Sequence, residues 1–169
     1  AGTTRTFTVS GDLLQGNELV INANISDGNA TAQSLILTNT IQAMSASGPG
    51  VVLSGNNTFT GSLAVTGLAA TVTGNNAFTG SAIITGGALT PTSLTLSGNG
   101  AMTNASSITV NGVFNQAAGN YVASLVLDNS ATSNTDRLNN TVPITLNHAA
   151  MQLIGNSAGV NEVVGALTL

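Results

Sequence analysis

The sequence predicts an all-β chain wound as a parallel β-solenoid of roughly eight coils. Three observations predict it: an internal repeat, short alternating apolar runs that stop at Gly or Asn, and a near absence of charge. Ser54-Gly55-Asn56-Asn57-Thr58-Phe59-Thr60-Gly61-Ser62 returns as Thr73-Gly74-Asn75-Asn76-Ala77-Phe78-Thr79-Gly80-Ser81, an offset of 19 residues. A weaker copy, Ser97-Gly98-Asn99-Gly100-Ala101-Met102-Thr103-Asn104, begins 24 residues after the second. A sandwich of antiparallel strands does not require such copies, whereas stacked coils place like residues in register. The expected interior ladder is Phe59, Phe78 and Met102, and the expected turn ladder is Asn56, Asn75 and Asn99.

The strands follow from a second pattern, in which Ser precedes an apolar, any, apolar, polar run closed by Gly or Asn. It begins at Ser34, Ser62, Ser93, Ser107 and Ser124, and Thr6-Phe7-Thr8-Val9-Ser10-Gly11 is close to it. Period-2 alternation rich in β-branched residues marks half-buried strands. Gly and Asn suit the stop because they accept positive φ at least cost. No 3.6-residue apolar stripe and no capping signal before an apolar run points to helix. We expect divergent coils over 1–43, the clearest repeats over 44–129 and a C-terminal set over 130–169 without an obvious cap.

Charge explains how such a stack is tolerated. Only 5% of the 169 residues are charged, and hydrophobic residues make up 42%, enough for a core. In-register strands lie about 4.8 Å apart, so a repeated charge would face its own copy, whereas Thr and Asn can hydrogen-bond along the ladder. Eight coils at that spacing give a rod near 40 Å, by the same estimate (~4.8 Å per coil). With 2 Lys and Arg against 6 Asp and Glu, nothing would neutralise phosphates, which argues against nucleic-acid partners and electrostatic membrane docking. There is no Cys for a disulfide or a thiolate site, and no apolar run long enough to insert in a bilayer.

The copies over 54–67 and 73–86 resemble the autotransporter-associated β-strand repeat of bacterial surface proteins, which reads as Gly, an Asn pair, Thr-aromatic-Thr-Gly and a β run ending in Gly. Asp136-Arg137-Leu138, Val142-Pro143-Ile144-Thr145-Leu146, Met151-Gln152-Leu153-Ile154-Gly155 and 162–169 look like that family's inter-repeat phrase. The resemblance covers about two thirds of the chain; before about Ala43 it holds only in style. It implies a right-handed parallel β-helix exported from Gram-negative-type bacteria and used as stalk, adhesin or passenger scaffold. The repeat brings no catalytic residues, and this chain shows neither the translocator barrel nor the anchoring tail of that family.

Candidate sites are each weighed against an ordinary structural role. Asn134-Thr135-Asp136 resembles a motif of polygalacturonase-like β-helix hydrolases, but the further carboxylates that glycoside hydrolysis needs are missing. Asp136 with Arg137 reads as a turn ion pair or a family structural element. Asp12, Glu18 and Asp27 form the one local acidic group, and their spacing fits no calcium loop. His148, the single histidine, has no Cys or near carboxylate for a metal site or triad and reads as a strand-end residue. Gly55-Asn56 and its like are turns rather than phosphate cradles. Phe7, Phe59, Phe78, Phe114 and Tyr121 could form a carbohydrate platform only if they pointed outward, and their spacing beside Val and Leu places them in the core.

No catalytic, cofactor-binding or metal site is expected, and no cofactor. The chain reads as a non-enzymatic extracellular scaffold, stalk or fibre subunit, stacking through Val163, Val164, Leu167 and Leu169 on other copies of itself or on flanking coils of a longer chain. A glycan- or matrix-binding adhesin module is the alternative, and a polysaccharide hydrolase or lyase is a remote one.

Overall fold

Alternation of apolar with small polar residues decides the elements. In a computed structural model, which describes residues 3–9, 17–28, 31–40, 50–115 and 119–169, the described residues form strands and no helix. The strands are β1 (Thr3–Val9), β2 (Asn17–Ile21), β3 (Gln33–Asn39), β4 (Gly50–Leu53), β5 (Leu63–Thr66), β6 (Ala69–Val72), β7 (Ser81–Thr85) and β8 (Thr92–Leu96). They continue as β9 (Ser107–Asn111), β10 (Phe114–Asn115), β11 (Asn120–Tyr121), β12 (Ala123–Asp128), β13 (Ile144–Asn147), β14 (Ala150–Ile154) and β15 (Leu167–Thr168).

The chain alternates between two stacked parallel sheets. The first has the order β1-β3-β5-β7-β9-β13-β15 and the second β2-β4-β6-β8-β12-β14. Register keeps like residues together. Leu35, Leu63, Ala82, Ile108, Ile144 and Leu167 form one inward column of the first sheet. Val51, Ala70, Leu94, Leu125 and Met151 form one of the second. All but the exposed Leu167 merge into one apolar core, with Met151 packed against it. Thr8, Thr38, Thr66, Thr85, Asn111 and Asn147 line up on the outer face, where Asn147 donates to Asn111 at 2.7 Å.

The repeated motif forms a third, shorter ladder between the sheets. Asn57 bridges Asn76, Asn75 bridges Ala101, and Met102 bridges Leu138, all in parallel. Phe59 and Phe78 are buried with rings stacked at 5.1 Å between centroids and 1° between planes. The glycines of the motif are there for close approach: a Cβ on Gly55 would run into the Ala23 carbonyl, and one on Gly74 into that of Gly55.

Two Asn ladders result. On the outside the Asn75 amide donates to Asn56 Oδ1 at 3.0 Å, and the Asn56 amide to Asn24 Oδ1 at 2.8 Å. Inside, Asn57 donates to Asn76 Oδ1 at 2.5 Å and to the Gly55 carbonyl at 3.2 Å, and Asn76 donates to that of Gly74 at 2.7 Å. Asn99 is an exposed turn residue instead, because the partner of Asn75 is Ala101, two residues further on. Met102 is buried, but the parallel bridge of Ala101 to Asn75 places it level with Asn76 rather than beneath Phe78, and it bridges Leu138 on its other side.

The intervals between stacked strands are uneven. Ser34 and Ser62 are 28 residues apart, Ser62 and Ser81 are 19 apart, and Asn111 and Asn147 are 36 apart. The described residues therefore give seven strands in one sheet and six in the other, where a constant period near 20 suggests about eight coils.

Candidate functional site

The longest excursions bring the exposed aromatic residues to one corner. After β9 the chain leaves the stack as a two-stranded antiparallel hairpin, with Phe114 opposite Tyr121 and Asn115 opposite Asn120. The buried Asn115 side chain anchors it, donating to the Gly87 carbonyl at 3.3 Å. Phe114 and Tyr121 stay about half exposed, at 49% and 52%, and meet edge to face at 5.6 Å. Both were expected in the core. The hairpin interrupts the alternation that would turn them inward, and they face solvent instead.

His148 completes the group. Its ring stacks on Tyr121 at 4.9 Å, 25° between planes. Register identifies its place: Thr66, Thr85, Asn111 and Asn147 are aligned, so the residues that follow them, Gly67, Gly86, Gly112 and His148, occupy the same corner at the ends of neighbouring strands. Three are glycine for visible reasons. Gly67 has a φ of 67°, a Cβ on Gly86 would lie 2.5 Å from the Val122 carbonyl, and one on Gly112 would strike the His148 carbonyl.

His148 holds a φ of 50°, the one positive value of a non-glycine among the described residues. That conformation costs an L-residue about 1–2 kcal/mol, while an aromatic pair returns about 0.5–1.5 kcal/mol, the lower part of that range where it is exposed. Stability alone gives no preference for histidine over glycine here.

Beside this pair opens a cleft of about 420 Å³, lined by Pro91, Thr92, Ser93, Tyr121, Ser124 and His148 together with Val122 and small alanines. Its floor is the outer face of β8, β12 and β14, where Ser93, Ser124 and Ala150 are register neighbours. The Thr92 hydroxyl already accepts from the Gly67 amide at 2.8 Å. No carboxylate, Lys or Arg lines the cleft.

No known protein-family model, curated protein or solved structure matches the chain.

Asn134 Oδ1 accepts from the Asp136 amide at 3.0 Å, an ordinary side-chain turn, and Asp136 is exposed. Arg137 does not pair with Asp136. It is wholly buried, and its guanidinium donates to Asn129 Oδ1 at 2.9 Å and to the carbonyls of Gly100 at 2.5 Å, Asp128 at 2.7 Å and Thr132 at 3.2 Å. Burial lowers its pKa, opposed by the charges of Glu162 and then Asp128. Glu162 meanwhile accepts the amides of Arg137 and Leu138 at 3.2 and 2.9 Å. Sequence reasoning missed this clamp because it joins segments far apart in the chain.

Asp12 lies outside the described residues, and Glu18 is exposed on β2. Asp27 is a staple: it accepts from the Thr60 hydroxyl at 2.6 Å, from the Gln33 amide at 2.8 Å and from the Thr60 amide at 3.0 Å. The Thr60 hydroxyl holds this carboxyl below its usual pKa, opposed by desolvation and helped by the Gln33 and Thr60 amides. A depressed folded-state pKa adds stability above the unfolded value of about 3.9 and loses it as pH falls through the folded value. The Gln33 and Thr60 amides should therefore exchange faster with solvent once the pH falls through the folded-state pKa of Asp27 than at pH 6, after correction for intrinsic rates. Asp27→Asn should remove that difference.

Above Asp27 a second cleft, about 490 Å³, is lined by Arg5, Asp27, Ser34, Leu35 and Phe59. Arg5 stands opposite Leu35, so an arginine takes the inward column at the edge strand. At the other edge Leu167 is 51% and Leu153 44% exposed, Val163 and Leu169 are exposed and Val164 is half-buried.

Proposed function

We propose that this chain is a structural element, a right-handed parallel β-helix of about seven coils (~4.8 Å each) that serves as stalk, spacer or fibre segment on the surface of a Gram-negative-type bacterium. One observation supports this most. The inward columns run in register through both sheets and are still apolar at β14 and β15, where Leu153 and Leu167 stay exposed. An uncovered parallel edge of that kind is a template for the next strand. Right-handedness agrees with the general rule for parallel crossovers and with the repeat the sequence resembles.

The partner on that edge is the first coil of another copy, or flanking coils of a longer chain. The contact is head-to-tail and does not close, so it builds rods. Arg5, inward on the receiving strand β1, tempers the association, as inward charges on edge strands do. The role is non-catalytic: length, stiffness and a neutral Thr and Asn surface.

Electron microscopy of the purified chain tests it. Rods with an axial repeat near 33 Å are expected, seven coils at ~4.8 Å, and Arg5→Leu should lengthen them. Dispersed single particles for both proteins at every concentration would refute end-to-end assembly.

A further inference from the structure

We propose that the cleft beside Tyr121 and His148 binds an uncharged sugar ring of a glycan. Three independent features point there. The first is His148 itself, in a left-handed conformation at a corner that glycine fills in three other coils. Backbone strain of this sort concentrates where a side chain is needed for function, and the histidine ring is what glycine cannot supply.

The second is the exposure of aromatic surface in a chain that has almost none: Phe114 and His148 each meet Tyr121, which gathers the three at a single corner. The third is the floor. Ser93 and Ser124 stand side by side on neighbouring strands, and neither hydroxyl bonds to another described residue. Adjacent strands place such hydroxyls about 5 Å apart.

An aromatic wall, paired hydroxyls and no fixed charge select the ligand. A pyranose presents an apolar CH face and a rim of hydroxyls, and so matches both surfaces together. An anionic ligand would find no cation, since the chain's two Lys and Arg residues are Arg5 and Arg137 and neither lines the cleft. A peptide strand would need a free sheet edge, and this floor is the face of three paired strands. A cleft of about 420 Å³ is in the size range of small-ligand sites, about 300–1,000 Å³.

The protein provides its own probe. Tyr121 is the single Tyr and there is no Trp, so intrinsic emission reports on this wall alone. Cellobiose, maltose, lactose and diacetylchitobiose are titrated against the unmodified chain, with an acidic chondroitin disaccharide for comparison. At least one neutral sugar should change Tyr121 emission saturably, and the acidic one should not. His148→Gly should weaken binding at least tenfold while its thermal midpoint stays equal or rises. His148→Asn, which also accepts positive φ, should behave likewise. No saturable change with any neutral sugar, equal response to the acidic one, or undiminished affinity in both His148 variants would overturn the proposal.

Discussion

Replacing Arg137 by Ala is expected to destabilise the protein by about 3–5 kcal/mol, the usual result of removing one member of a buried charged network. The guanidinium reaches three carbonyls and Asn129 from a position with no solvent exposure, linking the segment after β12 to Gly100 in the segment after β8. Without it the buried oxygens of Gly100 and Asn129 lose their donor, each at about 1–3 kcal/mol less any water that enters, and the part-buried carbonyls of Asp128 and Thr132 lose theirs at less cost. Arg137→Met separates packing from hydrogen bonding. It refills most of the volume and should recover only a minor part of the loss. Lys should do no better, because one ammonium cannot reproduce the fork. Denaturant melts of the three variants decide it; a Met variant as stable as the parent would show that the hydrogen bonds contribute nothing net.

Phe78→Ala should cost a similar amount, about 3–5 kcal/mol. Its ring is fully buried and lies flat against Phe59, so truncation leaves a cavity next to a second aromatic ring. Phe59→Ala should cost somewhat less, because the open cleft beneath Arg5 lets that site relax or hydrate. In the double variant the two losses should fall short of additive by about 1 kcal/mol, the worth of an aromatic pair beyond its area. Strict additivity would mean that the stacking has no energy of its own.

Much of the fold can be read from the residues. The runs at Ser34, Ser62, Ser93, Ser107 and Ser124 fall on β3, β5, β8, β9 and β12, because period-2 burial is a local property of the chain. Which sheet each strand joins is not local. Ser62 and Ser93 open the same pattern, yet β5 and β8 lie in different sheets. The Phe59 and Phe78 pairing follows from the near-identical copies, while Asn99 and Met102 were misplaced by an insertion that shifts register by two residues. Parity decides which Asn of each pair turns inward, and both Asn57 and Asn76 do.

The site was less legible. Phe114 and Tyr121 follow the same local composition as core strands, and only the hairpin directs them outward. His148 could have been found: in a column that runs Val9, Asn39, Gly67, Gly86, Gly112 and His148, it ends a run of three glycines. That alignment needs the 36-residue interval between Asn111 and Asn147, which no constant period supplies. The Arg137 clamp left no sequence signal beyond the rarity of arginine in this chain.

The absence of cysteine permits a direct measurement of end-to-end stacking. Thr6 and Thr168 lie on the outer face of the two edge strands of the first sheet, on β1 and β15. A head-to-tail stack brings Thr168 of one copy beside Thr6 of the next, within the roughly 4.4–6.8 Å between Cα atoms that a disulfide spans. Mild oxidation of the Thr6→Cys, Thr168→Cys double variant should give a ladder of covalent multimers, and neither single variant should. Monomers alone from the double variant, or dimers from Thr168→Cys by itself, would contradict the stacked rod.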